Sequence, residues 1–254
     1  MHILLTNDDG VHAPGLLAMK KELDRIAKVT VVAPDSERSS ISQAITLNRP
    51  IYKKIVPLDS NALAHAVSGT PADCVKFALF DILKKKPDLI VSGINNGSND
   101  GCSVFYSGTV GAAREGALLG VPSLAVSLDG APAGGINFSV AARMGRKVAA
   151  WVLKNGLPGG TFLNVNVPDI TATKIKGIRF TAQCRVPIHG EFRKRKDPAG
   201  RVYYWLTGRP PATNKDKNTD SFLLKKGFVT VVPVHCDATD HVFLDNNITK
   251  REIS

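Results

Sequence analysis

No apolar run in this 254-residue chain approaches the ~20 residues that a membrane-spanning helix needs. The opening MHILLTNDDG has no basic segment ahead of its short apolar stretch, so no secretory signal is read there and a cytoplasmic protein is expected. Cysteine is scarce: Cys74, Cys102, Cys184 and Cys236 stand far apart, with no CxxC and no Cys/His spacing. That excludes a zinc module or disulfide framework and leaves reduced packing residues. The P-loop G-x-x-x-x-G-K-[ST] is missing, as are a G-x-G-x-x-G after the first strand and a G-x-S-x-G nucleophile elbow. The six histidines, His2, His12, His65, His189, His235 and His241, form no metal-spaced cluster.

What the chain does have is basic charge, with 33 Lys and Arg against 22 Asp and Glu, a formal net +11. Such an excess points to an anionic partner. Its distribution is uneven. Residues 1–130 hold 13 basic and 13 acidic side chains, so the whole excess lies beyond residue 130.

The first 165 residues alternate short apolar runs with longer amphipathic stretches. Strands are expected at 2–6, 29–34, 88–94, 122–128 and 161–168, with helices around Leu16 to Ile26, Thr70 to Leu83, Ser107 to Leu119 and Val140 to Leu153. Continuous apolar strands alternating with helices predict an α/β fold, a mostly parallel sheet with helices on both faces. Further on, Gly177 to Gln183, Arg201 to Leu206 and Phe228 to Val234 read as strands with no helix between them. The basic run Arg193 to Lys196 and the polar stretch Gly208 to Thr219 lie between those strands. This predicts a catalytic core over 1–180 and a C-terminal β-hairpin extension over 181–254 that packs on a second subunit.

In open α/β sheets ligands bind beyond the carboxyl ends of the strands. Four segments there are unusually polar. Asp8 and Asp9 follow the first strand as adjacent carboxylates, whose repulsion a hard divalent cation relieves; an Asx turn is the plainer alternative. Asp35-Ser36-Glu37-Arg38-Ser39-Ser40 follows the second strand with hydroxyls and one arginine. Asn95-Asn96-Gly97-Ser98-Asn99 supplies amide oxygens, which ligate hard cations without adding charge. Ser107-Gly108-Thr109 opens a helix whose free N–H groups attract a phosphate, or are simply capped by Ser107. Together these groups suit metal-assisted phosphoryl hydrolysis.

At these residues the chain resembles the SurE (survival protein E) family of metal-dependent 5'/3'-nucleotidases. The likeness is carried by HILLTNDDGVHAPG, VVAPDSERSS, VSGTPADCV, PDLIVSGINNGSN and YSGTVGAAREGALLGVPSLAVSL, with weaker echoes in FLNVNVPD, KGIRFT and TDSFLLKKGFVTVVPVHCD. The resemblance implies a Rossmann-like core, a hairpin extension exchanged between subunits of a homodimer or homotetramer, and hydrolysis of nucleoside monophosphates, with some action on polyphosphate. It also implies one divalent metal ion per subunit, Mg²⁺ or Mn²⁺, held by Asp8, Asp9, Ser39 and Asn95. Asn96, Ser107, Gly108 and Thr109 would hold the phosphate, while Asp8 and Asp9 would carry the catalysis. His235, in PVHCD, is read as a hinge or packing residue rather than a catalytic one.

Two rival readings stand beside this one. Zinc-dependent deacetylases also place an Asp-Asp pair after a first strand, but want a histidine where this chain has Thr6. A nucleic-acid-binding protein would explain the net charge. Against it, the basic run lacks interleaved aromatics and no helix-turn-helix, zinc finger or RNA-binding signature appears, so no stable nucleic-acid complex is expected. The basic arm is expected to draw polyanionic substrates toward the site or to settle subunit contacts.

Overall fold

The structure, a computed structural model, describes residues 1–59, 62–130, 136–187, 189–209 and 216–246. Residues 210–215 of the polar stretch and the tail from 247 lie outside the described residues. The elements of the α/β body are β1 (His2–Thr6), α1 (Pro14–Leu23), β2 (Lys28–Pro34), β3 (Lys53–Asp59), β4 (Ala62–Val67), α2 (Pro71–Phe77), β5 (Leu89–Asn96), α3 (Gly108–Leu118), β6 (Ser123–Asp129), α4 (Ser139–Asn155) and β7 (Thr161–Pro168). They are followed by β8 (Ile178–Phe180), β9 (His189–Lys196), β10 (Val202–Arg209), α5 (Asp220–Lys225), β11 (Val229–His235) and α6 (His241–Asn246).

Nine strands form one sheet in the order β3-β4-β2-β1-β5-β6-β7-β11-β8, while β9 and β10 form a separate antiparallel ribbon. Parallel pairing runs from β4 through β2, β1, β5 and β6 to β7; β3 and β11 join antiparallel. Alternation along β1 shows why both faces are covered. Ile3 and Leu5 pack with Leu16, Met19 and Val148 of α1 and α4, whereas Leu4 packs with Val75 and Ala112 of α2 and α3. A strand buried on both faces reads as a near-continuous apolar run and not as an alternation, which is what made it visible. The strand order reverses between β1 and β5, so the crevice beyond those two strand ends is the switch point where α/β sheets take ligands.

Three expectations need correction. A helix does stand between the late strands: Asp220–Lys225 forms α5, short enough to leave no periodic signature, with Leu224 buried. The basic run does not lie between strands but inside β9, paired residue by residue with β10. Both faces of that ribbon are exposed, so no apolar alternation marked it. Finally, β11 belongs to the main sheet, paired with β7 and β8, because Val229 and Val231 enter the principal core. The sheet thus extends past residue 180, and the arm proper is the β9–β10 hairpin. The edge pair β3–β4 was not anticipated at all.

Candidate active site

The loop after β1 is stitched to the loop after β2. The Arg38 N–H donates to the Asp8 carbonyl at 2.7 Å, and the Val11 N–H to Pro34 at 2.8 Å. Asn7 donates its side-chain amide to the Gly10 carbonyl at 2.9 Å. Gly10 turns the chain at φ +100, where a side chain would be strained. The two carboxylates are thereby presented at the switch point.

Asp8 is buried and accepts from both the hydroxyl and the backbone N–H of Thr109, so this carboxylate serves as a cap on the first turn of α3. Gly108 lets it approach: a Cβ there would stand 3.0 Å from the Asp8 Cβ. Asp9 is partly buried and is steadied by the Asn96 N–H. Burial pushes the Asp8 pKa up despite the Thr109 bonds. For Asp9, burial first and the neighbouring Asp8 charge second raise the carboxyl to about 6. Glu37 adds a third negative charge to both.

The loop carrying Ser39 is held by its far end. Gln43 donates to Glu115 at 2.7 Å, Thr46 to Asp73 at 2.6 Å, and the Ser42 N–H to the Tyr106 carbonyl at 2.9 Å. Ser40 and Ser42 sit at φ 55 and 57, left-handed backbone that serines rarely adopt and that surrounding contacts must enforce. The Ser39 hydroxyl donates to Glu37. At the end of β5, the Asn95 amide N–H donates to Gly97 at 2.7 Å, which leaves its Oδ1 for the site.

Asp8, Asp9, Ser39, Asn95, Asn96 and Ser107 line one open cavity of about 1260 Å³. Its other wall is apolar, with Ile136 and Phe138 before α4 and Leu206 from the hairpin. Gly108 and Thr109 are not on the wall; they lie beneath Asp8, and the Thr109 groups are spent on that carboxylate rather than left for an anion. Ser107 does both things considered for it, lining the cavity and accepting the Val110 N–H at 3.1 Å as the helix cap. Glu37 and the apolar wall carried no role in the sequence reading. His235 accepts from the Asp237 N–H at 3.1 Å and lies against Gly160, away from the cavity lining.

The donors fit a hard cation. Three carboxylates (Asp8, Asp9 and Glu37), a hydroxyl and an amide oxygen share the lining, with no basic or histidine side chain among its described residues to neutralise them. No histidine is among the described lining residues, and the position where the zinc deacetylase reading wants one is Thr6.

A further carboxylate organises the site from behind. Asp220, fully buried, accepts from the Gly101 N–H at 2.9 Å, the Cys184 N–H at 2.8 Å and the Ser221 N–H at 2.8 Å. It joins the amide loop to both feet of the hairpin. Asp220→Asn sets an amide against one of these donors, and a loss of about 1–3 kcal/mol is expected. An unchanged urea midpoint would show the clamp to be dispensable.

A family model described as Survival protein SurE matches residues 3–189. The chain is 46% identical over 245 residues to a 5'-nucleotidase SurE from Desulfatibacillum aliphaticivorans, covering 96% of each chain. It is 45% identical to a 5'-nucleotidase SurE from Moorella thermoacetica, covering 96% of this chain and 93% of the relative. The crystal structure of the SurE protein from Aquifex aeolicus superposes with a TM-score of 0.84 at 36% identity, over 99% of this chain and 100% of that one. With the family model matching most of its length and relatives this similar end to end, the chain belongs to the survival protein SurE family.

Proposed function

We propose that this protein is a 5'-nucleotidase, hydrolysing nucleoside 5'-monophosphates to nucleoside and phosphate with the help of one divalent ion, Mg²⁺ or Mn²⁺. The observation that carries this is that Asp8, Asp9, Ser39 and Asn95 line one cavity whose described lining holds no basic side chain. These four side chains would hold the ion, which supplies a Lewis acid for the phosphate and lowers the pKa of a water. The relatives named 5'-nucleotidase support the substrate class.

The chain's own groups do the rest. Asp9 carries fewer donors than Asp8 and is the freer base for the attacking water's proton. Asn96, the Ser107 hydroxyl and the remaining N–H at the start of α3 hold the phosphoryl oxygens as charge shifts onto them. The apolar wall of Ile136 and Phe138 offers the nucleoside a surface away from the polar corner. Nucleoside 3'-monophosphates and polyphosphate ends present the same terminal group and extend the reading. The body is a catalytic unit whose arm packs on a second copy in a homodimer or homotetramer, through exposed side chains such as Trp205 and Tyr203.

A phosphate-release screen over nucleoside monophosphates and polyphosphate, with Mg²⁺, Mn²⁺ and EDTA in parallel, tests this reading. Turnover abolished by EDTA is expected. Metal-independent turnover, or none, overturns it.

A linked result is expected in thermal melts. Because the folded Asp9 carboxyl is raised to about 6, the metal-free fold holds its proton more tightly than the unfolded chain does. Its stability therefore falls as pH rises from the ordinary carboxylate range through about 6. A divalent ion relieves that penalty only where the carboxylates are ionised. The gain in Tm on adding Mn²⁺ should be larger at pH 7.5 than at pH 5; an equal gain at both would contradict the assignment.

A further inference from the structure

The hairpin does more than flank the cavity. Gly190 of β9 and Leu206 of β10 are part of its lining. In the ribbon Gly190 pairs with Gly208, Phe192 with Leu206, Lys194 with Tyr204 and Lys196 with Val202. Side chains two apart along a strand share a face, as do directly opposed partners. The face that begins at the cavity with Gly190 and Leu206 therefore continues outward through Phe192, Lys194, Tyr204, Lys196 and Val202. The opposite face carries Arg193, Arg195, Tyr203 and Trp205, the last two in edge-to-face contact at 6.5 Å.

On the cavity-side face every side chain is exposed, Phe192 at 68% and Tyr204 at 58%. Neither lysine is in an ion pair among the described residues. Aromatics and cations thus alternate there, though not along the sequence: the rings beside Lys194 come from both strands. The strip runs about 20 Å from Gly190 to Lys196 at ~3.3 Å per residue. Among the described residues the cavity lining holds no basic side chain, and the lysines on this face are the described cations continuous with it for phosphates beyond the one being cleaved.

We propose that this face is a binding track for a short single-stranded oligonucleotide whose 5'-terminal phosphate enters the catalytic cavity. Lys194 and Lys196 meet the internal phosphodiesters, while Phe192 and Tyr204 stack on bases, the combination by which single strands are held without sequence preference. The rings favour a nucleic acid over polyphosphate, which has nothing to stack. The reaction is the same monoester hydrolysis: water attacks phosphorus, the bond from phosphorus to the terminal 5'-oxygen breaks, and that oxygen takes a proton. Orthophosphate and a 5'-hydroxyl oligonucleotide leave. This inference rests on the phosphomonoesterase reading above.

The test compares uridine 5'-monophosphate, 5'-phosphorylated tetrauridylate and tripolyphosphate as substrates of the full-length protein with Mn²⁺. The parent protein is expected to show a KM about tenfold lower for the tetranucleotide than for the mononucleotide. The double variant Lys194→Glu/Lys196→Glu should erase that advantage and flatten the dependence of log KM on log salt by about 0.7 per lysine. Phe192→Ser/Tyr204→Ser should raise KM for the tetranucleotide and leave tripolyphosphate unmoved. Turnover of the mononucleotide stays at the parent level in both and reports that the fold is intact. Equal KM for mono- and tetranucleotide in the parent overturns the track. So does a lysine variant that affects tripolyphosphate alone, with the ring variant silent. If the parent releases no phosphate from the mononucleotide, it is the underlying reading that fails.

Discussion

Asp9→Asn is expected to lower kcat/KM for nucleoside monophosphates by about a thousandfold or more, and yet to melt no lower than the parent in EDTA. The two halves of that result have one cause. Asp9 is partly buried beside Asp8 and Glu37, and the fold raises its carboxyl to about 6 instead of stabilising its charge. A neutral amide removes that repulsion and also removes an anionic donor for the cation. Asp8→Asn should cost as much activity, but without the stability gain, because Asp8 also caps α3 through Thr109. Activity assays with a metal titration, alongside melts in EDTA, check both. Full activity in either variant would remove that carboxylate from the mechanism.

Gly15→Ala is expected to damage both stability and the site. A Cβ at Gly15 would stand 2.2 Å from the Ile94 carbonyl oxygen and 3.2 Å from a ring carbon of Phe138. Backbone cannot yield as a flexible side chain does, so the cost is expected at about 2–4 kcal/mol, roughly a 10 °C fall in Tm. The displaced carbonyl belongs to the residue before Asn95, so Mn²⁺ affinity should weaken in the molecules that remain folded. Gly159→Ala, with nothing within 4 Å of its added Cβ, is the control and should behave as the parent. A Gly15→Ala protein with the parent's Tm and metal affinity would show that the end of β5 is less tightly seated than its contacts imply.

The parts of the fold that were legible are those buried on both sides. β1, β5, β6 and β7 are buried nearly throughout and carry apolar runs because helices cover each face, and the loops after β1, β2 and β5 stood out as polar groups at the ends of such runs. β3 escaped because it is a half-exposed edge strand, with two lysines and Pro57 in a pattern no simple alternation describes. β9 escaped because a ribbon with water on both sides has no apolar face to show. The candidate ligands were legible as residue types, but their division of labour was not. Thr109 reads as an anion binder, and nothing in the sequence showed its bond to Asp8, a contact across 101 residues. Asp220 stood in a stretch where no helix was expected and had no role there, and its bond to Gly101 spans 119 residues. Such contacts are products of the sheet order and have no local signal.

Asp220 also bears on how this protein can change. By fastening residue 184 to residue 220 it closes the base of the arm, so the β9–β10 hairpin stands as an insertion between two joined ends. The entropy of closing such a loop grows only with the logarithm of its length. Lengthening, trimming or recolouring the arm is therefore cheap for the fold and leaves the amide loop in register. What the hairpin presents can therefore change separately from the α/β body that carries the candidate site.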